Sequence, residues 1–256
     1  MKLTRIGFCG LDESISFHSI TSISKLYPLV EWGILLRYDL AGTPRYPKYS
    51  WIEELIKFIK DSNIKVNLAG HLCGDYCKDV LIYNNFEDLK KLIGLGFSRF
   101  QLNPTPANNI TLNKNLYSHY AKNLLKLCNK FPNVEFILQL NLITQPILNH
   151  ILETNFPSNL SLLNDSSCGQ GISIQNIQKP LLINNRYVKT GYAGGIEPNN
   201  IDALLEKLEI ITDDKEIWID MESGIRTIEY LNKDQCFDYL DVRKCQLILD
   251  ACIKNI

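Results

Sequence analysis

The chain has 256 residues, of which 45% are hydrophobic and 21% are charged, and its formal net charge is -1. This composition is typical of a globular protein with a large core and excludes a disordered chain. Lysine and arginine are not concentrated in any stretch, and no apolar run is long enough to cross a bilayer. We therefore expect no nucleic-acid partner and no membrane partner. No signal peptide is recognisable, so we expect a cytoplasmic protein whose eight cysteines are reduced thiols.

Short apolar runs recur about every thirty residues, and segments with helical periodicity lie between them. This alternation is typical of parallel strands joined by helices. The sequence therefore predicts an α/β fold, a (β/α)8 TIM barrel that occupies residues 1–256 as a single domain. The predicted strands are Arg5–Cys9, Glu31–Leu36, Lys65–Ala69, Phe100–Asn103, Val134–Leu140, Leu160–Leu163, Val188–Ala193 and Ile217–Met221.

Two helices are predicted near the end of the chain. One begins at Glu197-Pro198, because proline is favoured in the first turn of a helix. The other is the eighth helix of the barrel and covers the segment from Asn232 to Ile256.

Polar residues at or near the predicted strands are candidates for a ligand site, because long loops and the carboxyl ends of barrel strands form the functional face. Gln101 and Asn103 suit hydrogen bonds to a sugar, and Arg45 suits an anionic group. Glu31 is a further substrate-binding candidate, and His71 is suited to proton transfer near neutral pH. A structural histidine and a solvated arginine are the alternatives for His71 and Arg45.

A metal site is a weaker interpretation of the segment around His71. Cys73, Asp75 and Cys77 follow this histidine, and all four residue types can bind zinc. Their spacing, however, contains no paired Cys-x-x-Cys site. We therefore predict neither a metal nor a cofactor.

Two glycine-containing turns follow the last two predicted strands. They are Gly191-Tyr-Ala-Gly-Gly195 and Glu222-Ser-Gly224. In barrels of this kind the loops after strands seven and eight often bind phosphate, because glycine allows backbone N–H groups to approach the anion. We predict a phosphate site formed by Gly194, Gly195, Ser223 and Gly224. The alternative is that both segments are ordinary tight turns.

Six short motifs occur in the same order in a known barrel family. They are Phe8-Cys-Gly10, Thr43-Pro-Arg-Tyr46, Phe100-Gln-Leu102, Leu162-Leu-Asn-Asp165 followed by Gly169 and Gly171, Ala193-Gly-Gly-Ile196, and Asp220-Met-Glu-Ser-Gly-Ile225. Together they resemble phosphoribosylanthranilate isomerase, an enzyme of tryptophan biosynthesis.

The resemblance implies a cofactor-free Amadori isomerisation of a phosphoribosyl amine, which is an intramolecular oxidoreductase reaction. It implies Cys9 as the base, Asp165 as the acid and a phosphorylated small molecule as the substrate. We expect the protein to be a monomer or homodimer. In the family the aspartate follows the two leucines directly, and Asn164 has that place here. Because side chains alternate across a strand, the sequence leaves open which of Asn164 and Asp165 takes the acid position.

Two alternatives remain at the level of sequence. One is a different phosphosugar isomerase, aldolase or lyase that uses His71 or Glu31. The other is a non-catalytic barrel that binds a phosphorylated metabolite, in which Cys9 is only a small buried residue. The fold by itself does not separate them, because barrels host many reactions.

Overall fold

Eight parallel strands close into a barrel in the computed structural model of the protein, which describes residues 1–165, 177–232 and 235–254. The strands are β1 (Lys2–Cys9), β2 (Val30–Leu36), β3 (Asn67–Leu72), β4 (Arg99–Leu102), β5 (Glu135–Leu140), β6 (Leu160–Asn164), β7 (Thr190–Ala193) and β8 (Glu216–Met221). The closed ring runs in the order β1-β8-β7-β6-β5-β4-β3-β2. The predicted (β/α)8 fold is therefore confirmed.

Side chains alternate between the two faces of each strand, and this alternation positions the candidate site. Phe8 and Trp32 point outward into the large core between barrel and helices, with ring centroids 5.6 Å apart. The narrow interior has its own small core of Ile137, Leu163, Ala193 and Trp218. A Cβ atom on Gly191 would come within 2.1 Å of the Trp218 indole, so glycine is needed there to admit that ring.

Helices surround the barrel with their apolar stripes turned inward. In the helix that follows Lys48, for example, Ile52, Leu55 and Ile56 are buried at the spacing of one helical face. The helices are α1 (Phe17–Leu26), α2 (Tyr49–Ser62), α3 (Gly74–Leu81), α4 (Glu87–Leu95), α5 (Tyr117–Lys130), α6 (Gln145–Leu152), α7 (Ile201–Thr212) and α8 (Val242–Lys254). No helix within the described ranges is long and apolar enough to cross a membrane.

The structure corrects the predicted start of α7. This helix begins at Ile201 rather than at Glu197. The Asn200 side chain accepts a hydrogen bond from the Glu197 N–H and donates one to the Gly195 carbonyl. Residues 197–200 are therefore part of the turn after β7, because their polar groups are used to hold that turn.

The prediction of a single helix from Asn232 to Ile256 is wrong in its first part. An antiparallel hairpin of strands Arg226–Tyr230 and Cys236–Leu240 precedes α8. A second short hairpin pairs Leu182–Ile183 with Arg186–Tyr187. The predicted glycine loop with Gly169 and Gly171 lies outside the described residues.

Candidate functional site

A cavity of about 250 Å³ opens at the carboxyl ends of the barrel strands. Its wall combines side chains from the strand ends with backbone from the turns after β7 and β8. Most of the polar candidates predicted from the sequence lie in this wall. The lining includes Cys9, Arg45, His71, Cys73, Gln101, Asn103, Gln139, Asp165, Gly194, Gly195, Asp220, Glu222, Ser223 and Gly224.

Three buried side chains converge at one side of this cavity. The Cys9 Sγ donates a hydrogen bond to Asp220 Oδ1 at 2.7 Å and lies 3.8 Å from His71 Nε2. Cys9 is on β1 and His71 on β3, with β2 between them. A Cβ atom on Gly33 of β2 would come within 2.8 Å of both the Cys9 sulfur and the His71 ring. Glycine at position 33 therefore allows the two side chains to meet across the intervening strand.

Burial dominates the acid–base properties of this cluster. Burial and the nearby Asp220 carboxylate raise the pKa of the Cys9 thiol well above its usual value. Burial also raises the pKa of Asp220 to about 7, against the lowering effect of the Cys9 hydrogen bond. Burial, followed by the charge of Arg99, lowers the pKa of His71 to about 3. At neutral pH the thiol is protonated, the imidazole is neutral, and Asp220 is near its midpoint.

Asp165 lies in the cavity wall, and Asn164 does not. Leu163 belongs to the interior core and Leu162 to the outer core, so odd-numbered positions of β6 face inward. Asp165 continues this inward alternation and accepts a hydrogen bond from Gln139 Nε2 at 2.5 Å. The carboxylate, rather than the amide, therefore faces the cavity at the end of β6.

Gln101 of β4 and Asn103, which directly follows this strand, also reach the cavity. The Gln101 Nε2 donates to Asn103 Oδ1 at 2.7 Å, and Asn103 Nδ2 contacts the Cys73 sulfur at 3.6 Å. Both amide side chains are buried. They are thus held in place by each other on the wall where the sequence predicted ligand-binding residues.

The turns after β7 and β8 touch each other at the rim of the cavity. Gly194 and Gly195 have φ values of 111° and 59°, which favour glycine. A Cβ atom on Gly224 would lie 2.0 Å from the Ile196 carbonyl oxygen, so only glycine permits this close approach. Among the described residues no acceptor is bonded to the backbone N–H groups of Gly194, Gly195, Ser223 or Gly224.

Arg45 lies in the cavity wall but is already paired with carboxylates. Its guanidinium donates to Glu222 Oε1 at 2.9 Å, to Asp238 Oδ2 at 2.8 Å and to the Ser223 hydroxyl at 3.1 Å. The backbone of Arg45 has a φ of 76°, an unfavourable conformation for a residue other than glycine, and its N–H donates to Asp12 at 2.6 Å. The arginine therefore connects the β2 loop to the turn after β8.

A buried ion pair supports this arrangement from the hairpin side. Arg226 donates to Asp12 Oδ2 at 2.7 Å, to Asp238 Oδ1 at 2.6 Å and to the Gly10 carbonyl at 2.6 Å. Arg226 and Asp12 are almost completely buried. Arg226 and Asp238 were not predicted as site residues. Asp238 lies in the segment predicted as the eighth helix, and Arg226 lies outside every predicted strand and helix, whereas the structure places both in the hairpin before α8.

The structure does not place Glu31 at the cavity. Glu31 is the second residue of β2 and so lies at the amino-terminal end of the barrel. There it is buried against the Arg99 guanidinium, with Arg5 3.8 Å away. The prediction of Glu31 as a substrate-binding residue is corrected. A residue at the start of a strand lies at the end of the barrel opposite the loops that follow the strands, and the cavity is formed by those loops.

The four residues considered as zinc ligands in the sequence, His71, Cys73, Asp75 and Cys77, do not lie together in the structure. Asp75 is exposed on α3 and forms an ion pair with Lys78 at 2.8 Å. Cys73 lines the cavity and Cys77 is buried in α3. Within the described ranges, His71 groups instead with Cys9 and Asp220, whose potential ligand atoms all lie within 4.8 Å of one another.

Asp220 is a further residue of the cavity wall that was not predicted from the sequence as a site residue. Its inward position was in principle visible, because Trp218 and Asp220 are two residues apart on one strand and share a face. The partner at 2.7 Å, Cys9, depends on the pairing of β8 with β1, which joins the two ends of the chain.

Comparisons with known proteins support the fold. No protein-family model and no curated protein matches this chain. Phosphoribosylanthranilate isomerase from Thermotoga maritima superposes with a TM-score of 0.56 at 13% identity, covering 98% of this chain and 100% of that one. The isomerase from Pyrococcus furiosus gives 0.47 at 14% identity, covering 99% and 100%. A GH30 endoxylanase from Clostridium papyrosolvens gives 0.48 at 11% identity, covering 87% and 66%. At these identities the first likeness shows a shared (β/α)8 barrel, and the two lower scores add no further argument.

Proposed function

We propose that the protein is a cofactor-free isomerase that binds a phosphorylated ribosyl amine and rearranges it to the corresponding aminoketose, as phosphoribosylanthranilate isomerase does. The observation that carries this proposal is the presence of Cys9 and Asp165 in the wall of one cavity. These residues end β1 and follow β6, which are three places apart around the ring of eight strands. They therefore approach the cavity from different walls, as an acid and a base on two sides of one sugar must.

The phosphate would bind at the contact between the two glycine turns. Four backbone N–H groups in these turns have no acceptor among the described residues, and all four residues line the cavity. Such donors favour an anion. The guanidinium of Arg45 lies 3.1 Å from the Ser223 hydroxyl and is paired with Glu222, so it offsets the negative charge of that carboxylate at the same rim.

The proposed reaction uses Asp165 as the acid and Cys9 as the base. Asp165 gives a proton to the ring oxygen of the sugar, and the bond between that oxygen and the anomeric carbon breaks while the nitrogen lone pair forms a C=N bond to that carbon. Cys9 then removes a proton from the neighbouring carbon, which gives an enolamine. The enolamine becomes the aminoketose when its enol hydroxyl loses a proton and the former anomeric carbon gains one. General acid–base catalysis of this kind requires both groups within reach of one substrate.

The thiol of Cys9 needs a proton acceptor before it can act as a base, since burial and Asp220 raise its pKa. Asp220 accepts the thiol hydrogen bond at 2.7 Å and has its own pKa raised to about 7, so it is the group that would take up this proton. His71 is neutral, because burial lowers its pKa to about 3, and it contacts the thiol from the other side. An alternative reaction with Glu31 as the base is not proposed, because Glu31 lies at the opposite end of the barrel.

Turnover of phosphoribosylanthranilate, followed by the loss of substrate fluorescence, tests this function. We expect Cys9→Ala and Asp165→Asn each to lower kcat by about 10²–10⁴-fold while phosphate-dependent binding is retained. Cys128→Ala and Asp75→Asn are matched controls, because Cys128 is buried in α5 and Asp75 is exposed on α3, both away from the cavity. His71→Asn tests whether the histidine is the essential base instead.

Two results would contradict the proposal in different ways. If the wild-type protein binds ribose 5-phosphate but does not turn over phosphoribosylanthranilate, the isomerase function is wrong and a barrel that binds a phosphorylated metabolite remains. If ribose 5-phosphate does not bind, the proposed phosphate site itself is wrong.

A further inference from the structure

We propose that Cys9, His71 and Asp220 form a three-ligand site for a thiophilic divalent cation, Zn²⁺ in particular, in the wall of the cavity. This inference does not rest on the proposed isomerisation. It uses the same cysteine for a different purpose, and its tests do not measure turnover.

The geometry of the cluster is close to that of a tetrahedral zinc site. In such a site the metal lies about 2.0–2.3 Å from each ligand, so neighbouring ligand atoms are about 3.5 Å apart. The Cys9 Sγ and His71 Nε2 are 3.8 Å apart, and all three potential ligand atoms lie within 4.8 Å. The Cys9 Sγ and Asp220 Oδ1 are 2.7 Å apart, because they share a proton, and would separate by about 1 Å when a metal replaces it.

The chemistry of the three ligands selects the class of cation. A thiolate, an imidazole and a carboxylate are a mixed sulfur, nitrogen and oxygen set, which suits zinc and disfavours the oxygen-seeking Mg²⁺ and Ca²⁺. A divalent cation would also neutralise two buried anionic groups, the thiolate and the carboxylate. On coordination, the thiol proton leaves to solvent and the sulfur lone pair binds the metal.

The barrel holds these ligands on three separate strands, β1, β3 and β8. Ligands on strands are held more rigidly than ligands on loops, so little ordering is needed for binding. Gly33 has no Cβ atom, and one at this position would lie 2.8 Å from both the Cys9 sulfur and the His71 ring. The space between the two ligands is therefore open. All three ligands line the cavity, so the fourth coordination position would face the cavity and a bound water or ligand.

Metal binding and the proposed isomerisation are mutually exclusive. The cation would bind the sulfur atom that the isomerisation uses as a base. Zn²⁺ would therefore act as an inhibitor of that reaction, and the proposal adds a second ligand class to the cavity.

Cobalt substitution tests this site directly. We expect Co²⁺ added to the reduced protein to give one equivalent of a thiolate-to-cobalt charge-transfer absorption, which Zn²⁺ abolishes on displacement. Cys9→Ser should remove this absorption, and His71→Asn and Asp220→Asn should each weaken Co²⁺ binding at least about tenfold, since even residues that only support metal ligands have effects of this size.

Three cysteines serve as controls. Cys73→Ser is the matched control, because Cys73 is also buried and lines the same cavity. Cys236→Ser tests binding by an exposed thiol, and Cys168→Ser tests a thiol outside the described residues. All three variants should keep the charge-transfer absorption. If the absorption survives in Cys9→Ser, or disappears in any of the three controls, the proposed site is wrong.

A second measurement uses the wild-type protein and so does not depend on the folding of variants. Zn²⁺ should slow the alkylation of Cys9 by at least about tenfold, as measured by mass spectrometry of the digested protein, and leave that of Cys73 unchanged. Equal protection of both cysteines, or protection of neither, would overturn the proposal.

Discussion

Replacement of Asp220 by asparagine should change how the stability of the protein depends on pH. Asp220 is buried, and its pKa is raised from 3.8 to about 7 by that burial. A carboxyl group with a raised pKa in the folded state contributes stability that is complete below its unfolded pKa. This contribution is lost as the pH rises through the folded pKa. At about 1.4 kcal/mol per pH unit, the loss between about pH 4 and about pH 7 is on the order of 4 kcal/mol.

His71 has the opposite effect in nearly the same pH range. Burial lowers its pKa from 6.5 to about 3, so its contribution to stability is present above the unfolded pKa and is lost as the pH falls. The magnitude is again on the order of 4 kcal/mol. The pH-dependent contributions of the two groups therefore nearly cancel in the wild-type protein. Together, these two residues should change its free energy of unfolding little between about pH 4 and about pH 7.

The cancellation makes the variant informative. In Asp220→Asn only the His71 effect remains, so the free energy of unfolding should rise with pH across this range. Relative to the wild type, the variant should gain on the order of 4 kcal/mol between about pH 4 and about pH 7. Urea unfolding followed by tryptophan fluorescence measures this difference, and Trp218 reports from the barrel interior.

A control and a complementary variant complete the test. Asp75→Asn removes an exposed carboxylate and should leave the pH profile parallel to that of the wild type. His71→Asn should make stability fall as the pH rises, because only Asp220 then remains. If the wild type and Asp220→Asn differ by the same free energy at every pH, the protonation state assigned to Asp220 is wrong.

Three further variants test other parts of the structure. Gly224→Ala should weaken the binding of ribose 5-phosphate in calorimetry at least about tenfold, because the new Cβ would lie 2.0 Å from the Ile196 carbonyl and force the turns apart; unchanged affinity would argue against the phosphate site. Glu31→Gln should lower the free energy of unfolding by about 3 kcal/mol, since it removes the nearer of the two carboxylates that pair with the buried Arg99 and leaves only Glu135, at 3.4 Å. The affinity for ribose 5-phosphate should not change in this variant, and a loss of affinity would show that Glu31 contributes to ligand binding after all. Arg226→Met removes the guanidinium that pairs with the buried Asp12 carboxylate and with Asp238, and should cost about 3–5 kcal/mol in urea unfolding; a cost below about 1 kcal/mol would show that the pair is unimportant.

Periodicity and turn chemistry, both local properties of the chain, were sufficient for the architecture. Apolar runs at regular intervals predicted the eight strands of the barrel, because strands covered on both faces must be apolar and consecutive parallel strands need a long crossover connection between them. Glycine at positions 194, 195 and 224 indicated tight turns. The structure shows positive φ values at Gly194 and Gly195 and a close contact of Gly224 with the Ile196 carbonyl. Cys9, which the resemblance implied as the base, lies in the cavity wall at the end of β1.

Register and strand bounds, which depend on contacts between distant segments, were decided only by the tertiary structure. A shift of one residue reverses the face on which a side chain lies, so the choice of Asp165 over Asn164 required the position of β6 in the ring. Glu31, by contrast, begins the predicted strand Glu31–Leu36, and a residue that begins a barrel strand lies at the end opposite the site, so the sequence already argued against its assignment. The hydrogen bond from Cys9 to Asp220 joins residues 211 positions apart. It exists because the barrel closes by pairing its first strand with its last, and no local pattern in the chain contains that contact.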